Sequence, residues 1–138
     1  MRSEQAAETF EQELRRGLQH LYDPDELRKS SLLALLKVDD RHNPLAALRR
    51  VLTDAIEMLK PGEEVPAHAQ AWRIYHVLTY RYVDQLGQKE VAADLALSVR
   101  QLRRQELEAV RVLANHLWTH HDLDKDALVP QPPTHPAS

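Results

Sequence analysis

The run "SVRQLRR", residues 98–104, sets three guanidinium groups and a carboxamide into the first two turns of a helix. An arginine fork matches O6 and N7 of guanine, and a glutamine carboxamide matches N6 and N7 of adenine. Arg100, Gln101, Arg103 and Arg104 are therefore candidates for reading base edges. Helical spacing sets them apart from a packed side. Leu102, Glu106, Ala109, Val110, Leu113 and Leu117 follow steps of three and four, so at about 100° per residue they form one stripe. Arg100, Arg104 and Arg111 point nearly opposite that stripe, Arg103 flanks them, and Gln101 lies on the other side. Glu106 is an anomaly on a packed stripe and is expected at its edge, beside a cation. Charge on a helix is most often just a solvated face; clustering in the first two turns favours contact with a ligand. Gln88, Lys89, Arg81, Arg73, Ser98 and Arg111 are the candidates for phosphate contact, which fixes position without carrying sequence.

Other chemistry finds less support. His116 and His120 have the i, i+4 spacing of a zinc pair, with His121, Asp122 and Asp124 beyond. No "HExxH" is present and spacing fixes no third ligand, so a frayed polar helix end is the preferred reading and no metal is expected. The pairs Asp39-Asp40 and Glu63-Glu64 sit in turns with no nucleophile or base spaced to help them. There is no glycine-rich phosphate loop and no cysteine, so no enzyme, cofactor, disulfide or thiolate site is expected. Trp72, Tyr75, Tyr80 and Tyr82 could stack on bases, but Tyr75 and Tyr82 read as core. Leu107 falls off the packed stripe, near the arginines; it touches either the amino-terminal helices or a partner, and the former is expected.

These residues need helices to position them. Three glycines in 138 residues, abundant Leu, Ala, Glu, Gln and Arg, and no sustained period-two alternation predict an all-α helical bundle. A first amphipathic helix over 3–22 turns Phe10, Leu14, Leu18 and Leu21 inward. Asp23-Pro24 and Asn43-Pro44 each read as an N-cap followed by a first-turn proline, and Ser30 or Ser31 caps "LLALL" between them. The helix from Pro44 to about Lys60 places Leu45, Leu48, Val51, Leu52, Ile56 and Leu59 inward. "PGEEVPAHA" is a loop. A trihelical unit follows over 68–86, 88–96 and 98–121, with Gly87 ending its first helix, Val91, Ala92 and Leu95 facing inward, and Ser98 capping its last helix. The proline-rich end, "VPQPPTHPAS", reads as disordered or a linker. The domains are thus 1–66, for dimerisation or signal input, 67–121, and a tail over 122–138. No apolar run spans a bilayer and no signal-peptide core is present, so a cytoplasmic protein with no membrane partner is the expectation.

"YRYVDQLGQKEVAADLALSVRQLRRQELEAVRVL" resembles the region 4 helix-turn-helix of bacterial sigma factors and the regulators that share it. Tyr80-Arg81-Tyr82, Gln88, Glu90-Val91-Ala92, Ala93, Leu97-Ser98, Leu102 and Val110 stand at the matching places. The resemblance covers about residues 72–117. It implies a DNA-binding transcriptional regulator, or a module of one, whose second helix enters the major groove. Ala96 departs from the family's usual glycine, which implies a different or a strained turn. Residues 1–66 lack the aromatic-rich promoter-melting segment, so a complete sigma factor is not implied. The expected partners are double-stranded DNA, a second copy through the amino-terminal helices, and RNA polymerase or a signalling protein. The alternative is a helical protein-interaction module on the same scaffold. The chain's net charge of −3 favours that alternative, while residues 72–111 carry 7 Lys/Arg against 5 Asp/Glu, concentrating the positive excess on the candidate interface.

Overall fold

The computed structural model describes residues 2–38 and 41–121, with side chains from residue 5 onward. Over these residues the fold is all-α: seven α-helices, one π-helical turn and no strand. They are α1 (Arg2–Gln19), α2 (Pro24–Arg28), α3 (Leu32–Leu35), α4 (Pro44–Met58), α5 (Gln70–Leu78), α6 (Gln88–Asp94) and α7 (Val99–His120), with the π-turn over Thr79–Val83 between α5 and α6. None is long and apolar enough to cross a membrane. The expected tail over 122–138 lies outside the described residues.

Local sequence accounts for the helix starts. The Asp23 carboxylate accepts from the Glu26 N–H at 3.3 Å and the Asn43 side chain from the Ala46 N–H at 3.1 Å. Proline follows each, where a helix needs no N–H. At α3 the two serines divide the work. Ser30 Oγ accepts from the Leu32 N–H at 3.1 Å, while Ser31 donates to the Glu13 carboxylate on α1 at 2.6 Å. Gly17 lets α1 and α3 approach, because a Cβ there would stand 2.4 Å from Leu32 Cδ1.

The helix after α4 departs from uninterrupted α geometry. The chain runs as α-helix only to Leu78, then widens into the π-turn, where the Asp84 N–H reaches the Thr79 carbonyl at 2.8 Å. Gln85, at φ 58°, reverses the backbone and returns the Leu86 N–H to the Tyr80 carbonyl at 2.9 Å. Gly87 was expected to end this helix, but it sits at φ −69° as the residue before α6. Five residues of apolar periodicity cannot tell a π-turn from an α-turn.

The buried side chains form one core. It begins at Phe10, Leu14 and Leu18 on α1, takes in Leu27, Leu32, Leu48, Leu52 and Ile56, and continues through Val77, Leu78, Val91 and Leu102 to Leu117. The expected boundary at 66/67 falls in the loop between α4 and α5, and the core runs past it. The 22-residue α7 is the common wall: it packs against α5 and α6 and also against α1 and α4. Phe10 and Trp118, 5.7 Å apart between ring centroids, tie its far end to α1. Leu45, Val51 and Leu59, expected inward, are half-buried against this core.

Candidate nucleic-acid interface

Most of the candidate residues sit on α6, the connection 95–98 and the first turns of α7, with Arg73 on α5, Arg81 in the π-turn and Arg111 midway along α7. Val91 and Ala92 hold α6 to the core, and its end is closed by two backbone bonds. Ala96 N–H reaches the Ala93 carbonyl at 3.2 Å and Leu97 N–H reaches the Ala92 carbonyl at 2.8 Å, the double closure that needs a left-handed residue between. Ala96 supplies it at φ 56°. The turn expected to be different or strained thus keeps the geometry that glycine would adopt, and the alanine Cβ bears the cost, about 1–2 kcal/mol.

Ser98 caps α7 as expected, and the cap is reciprocal. Ser98 Oγ accepts from the Gln101 N–H at 3.0 Å, and the Gln101 carboxamide oxygen accepts from the Ser98 N–H at 2.8 Å. The sequence signal was present, since Ser-x-x-Gln is a capping box. Gln101 and Ser98 are therefore engaged with the backbone, and neither side chain is free for a base or a phosphate without giving up that box.

The two faces of α7 differ sharply. Leu102, Glu106, Ala109, Val110, Leu113, Ala114 and Leu117 are buried. Arg100, Arg103 and Arg104 are exposed, and none of the three has a hydrogen-bond or ion-pair partner among the described residues. Lys89 on α6 is likewise exposed, and Arg73 on α5 half-buried, each without such a partner. Leu107 is 44% exposed and lies outside the buried core.

Three further candidates have partners within the chain, Arg81 and Gln88 at a buried carboxylate and Arg111 at the surface. Glu106, 4% exposed, accepts from Arg81 Nε at 2.5 Å and from Gln88 Nε2 at 2.9 Å. Arg81 Nη1 also donates to the Leu86 carbonyl at 2.7 Å. One carboxylate thus joins the π-turn, the start of α6 and the middle of α7. The cation expected beside Glu106 is Arg81, and Arg81 and Gln88 both spend hydrogen bonds on holding the π-turn and α6 to α7. Burial first, then the Glu106 charge, pushes the neighbouring Tyr82 phenol up to about 12. Arg111 lies against α1, 3.5 Å from the Glu11 carboxylate, with Glu108 at 3.9 Å.

No protein-family model, curated protein or solved structure matches this chain.

The aromatics and histidines lie elsewhere. Tyr75 and Tyr82 are buried as expected, while Trp72 and His76 on α5 and Tyr80 in the π-turn stack in a column, at 5.5 and 5.3 Å between centroids. Trp72 Nε1 donates to the Val65 carbonyl at 3.1 Å, and Tyr75 donates to Glu57 at 2.6 Å. His116 and His120 stack at 4.7 Å and line a cavity of about 280 Å³ with Asp54, Met58 and His121. No three acidic or histidine side chains converge for a metal among the described residues. Burial, then the nearby His120, lowers the His116 pKa below the usual histidine value. The helix end read as frayed is anchored: His121 Nε2 lies 3.1 Å from the Leu36 carbonyl.

Proposed function

We propose that this chain binds double-stranded DNA as a transcriptional regulator, or as the DNA-binding module of one, with the first turns of α7 in the major groove. The observation that carries the reading is the sorting of cations around α6 and α7. Arg81 is held by the buried Glu106 and the exposed Arg111 lies 3.5 Å from Glu11, whereas Arg100, Arg103 and Arg104 share one outward face with no partner among the described residues. Three uncompensated guanidinium groups within two turns repel one another, and a polyanion relieves that repulsion. The reciprocal cap and the double-bonded turn fix the start of α7, and the opposite face is packed, as an element presented to a ligand requires. The sigma-factor region 4 resemblance of residues 72–117 supports the same docking. Arg100, Arg103 and Arg104 are the base-reading residues of this proposal, with Lys89 and Arg73 on phosphates.

The second reading is a protein-interaction module on the same scaffold, favoured by the net charge of −3. Salt separates the two, because neutralising several phosphates makes affinity fall steeply with ionic strength. A shift assay on random duplex at low and moderate salt is the test. Lys89→Ala should weaken all duplexes similarly and flatten the salt slope by about one unit, while Arg104→Ala should cost about 1–3 kcal/mol on a selected site and relax one base pair. A folded Arg100→Ala, Arg104→Ala double variant that binds duplex as tightly as the parent would end the DNA reading.

A further inference from the structure

We infer that Leu107 is a specificity-determining residue of this interface, placed to pack on the C5-methyl group of a thymine in the major groove; the inference rests on the duplex-binding reading above. Leu107 is one of three exposed large apolar side chains among the described residues, with Tyr22 and Met58. Those two lie apart from the arginine face: the Arg49 guanidinium sits 5.2 Å over the Tyr22 ring, and Met58 ends α4 at the rim of the histidine cavity. Leu107 instead stands in the middle of that face. Seven residues on from Arg100, it comes within about 20° of it around the helix, angularly between Arg103 and Arg104. Helical side chains lean toward the amino terminus, which carries its methyl groups back over the turn holding Arg103 and Arg104.

A single exposed leucine is ordinary on a protein surface; what singles out Leu107 is its place on the face of three arginines without partners among the described residues. The major groove offers hydrogen-bonding edges and one apolar feature, the thymine methyl. Arginines that bond guanine edges and a leucine that covers a methyl are therefore complementary to one surface. Leu107 lies about 10 Å along the axis from Arg100, a span of about three base-pair steps. An acidic protein groove could also attract the guanidinium groups; DNA is favoured because its charge and its single methyl fit both features at once.

The test uses the full chain. Duplexes are selected from a random pool by the wild-type protein, and each thymine of the enriched site is replaced in turn by deoxyuridine, which lacks only the methyl. At one position wild type should lose affinity about fourfold, the worth of one buried methyl. Leu107→Ala should keep the wild-type melting curve, bind the thymine duplex about as weakly as wild type binds the uracil one, and be indifferent to the replacement there. If a duplex is enriched but Leu107→Ala keeps the wild-type response at every thymine, or weakens all duplexes alike, the Leu107 assignment is overturned and DNA binding stands. If no duplex is enriched and no salt-dependent binding is seen, the DNA reading falls and this assignment falls with it.

Discussion

Ala96 shows how a single side chain can be tolerated against its own backbone preference. Lys37, Gln85 and Ala96 all hold positive φ at helix ends, and all three positions lack glycine. At Ala96 both closing hydrogen bonds form despite the crowded Cβ, so the bonds and the burial of Val91 and Ala92 outweigh the strain. Ala96→Gly should remove that strain while adding freedom to the unfolded chain, for a net gain of about 0.5–1 kcal/mol. A higher urea midpoint with an unchanged slope is the expected result, and a lower midpoint would mean the alanine methyl makes a contact worth more than the strain. The residue pattern pointed to this turn, because a small-residue step between two helices is a local feature. It could not show which way the departure from glycine would resolve, since that depends on how firmly both flanking helices are held.

At the scale of the elements, Glu106 is the pin. Its carboxylate gathers Arg81 from the π-turn and Gln88 from α6 onto α7, so it sets where the arginine face stands relative to the bracing helix. Removing one member of a buried ion pair leaves the other uncompensated. Arg81 is only 22% exposed. Glu106→Ala should therefore destabilise the protein by about 3 kcal/mol, measured by equilibrium urea unfolding, whereas Glu106→Gln keeps an acceptor and should cost less. A loss below about 1 kcal/mol for the alanine variant would show that water replaces the carboxylate. The i, i+3, i+4 stripe set Glu106 at the edge of the packed side beside a cation; the structure buries it instead, and spacing could not choose among the available arginines. Arg81 lies 25 residues away in sequence, and only the return of α6 beside α7 brings it near. Gln101 is the opposite case: its partner is three residues away, and the capping box was there to be read.

Across the whole molecule, α7 makes the two halves of the chain interdependent. Twelve of the buried apolar residues come from positions 10–56 and thirteen from 74–117, and all join one cluster. A fragment of residues 67–121 would strip from α7 the helices α1 and α4 that pack on it. That fragment should show no cooperative thermal transition by circular dichroism, while the full chain melts in one step. A sharp transition in the fragment would mean that the trihelical part is a domain in its own right.

The amino-acid sequence alone determined the helices, their caps at Asp23, Asn43 and Ser98, and the two faces of α7. Each of these is set by neighbours within about one turn, where side-chain spacing and backbone donors decide the outcome. Only the tertiary structure decided which arginines remain free. Long polar side chains reach several ångströms and take whichever partner the packing delivers, so Arg81 went to Glu106 and Arg111 to Glu11 while Arg100, Arg103 and Arg104 kept their charge for solvent. The same holds for Leu107. Periodicity put it off the packed stripe, but how much of it the fold covers depends on where the chain goes next, and 44% of it stays exposed.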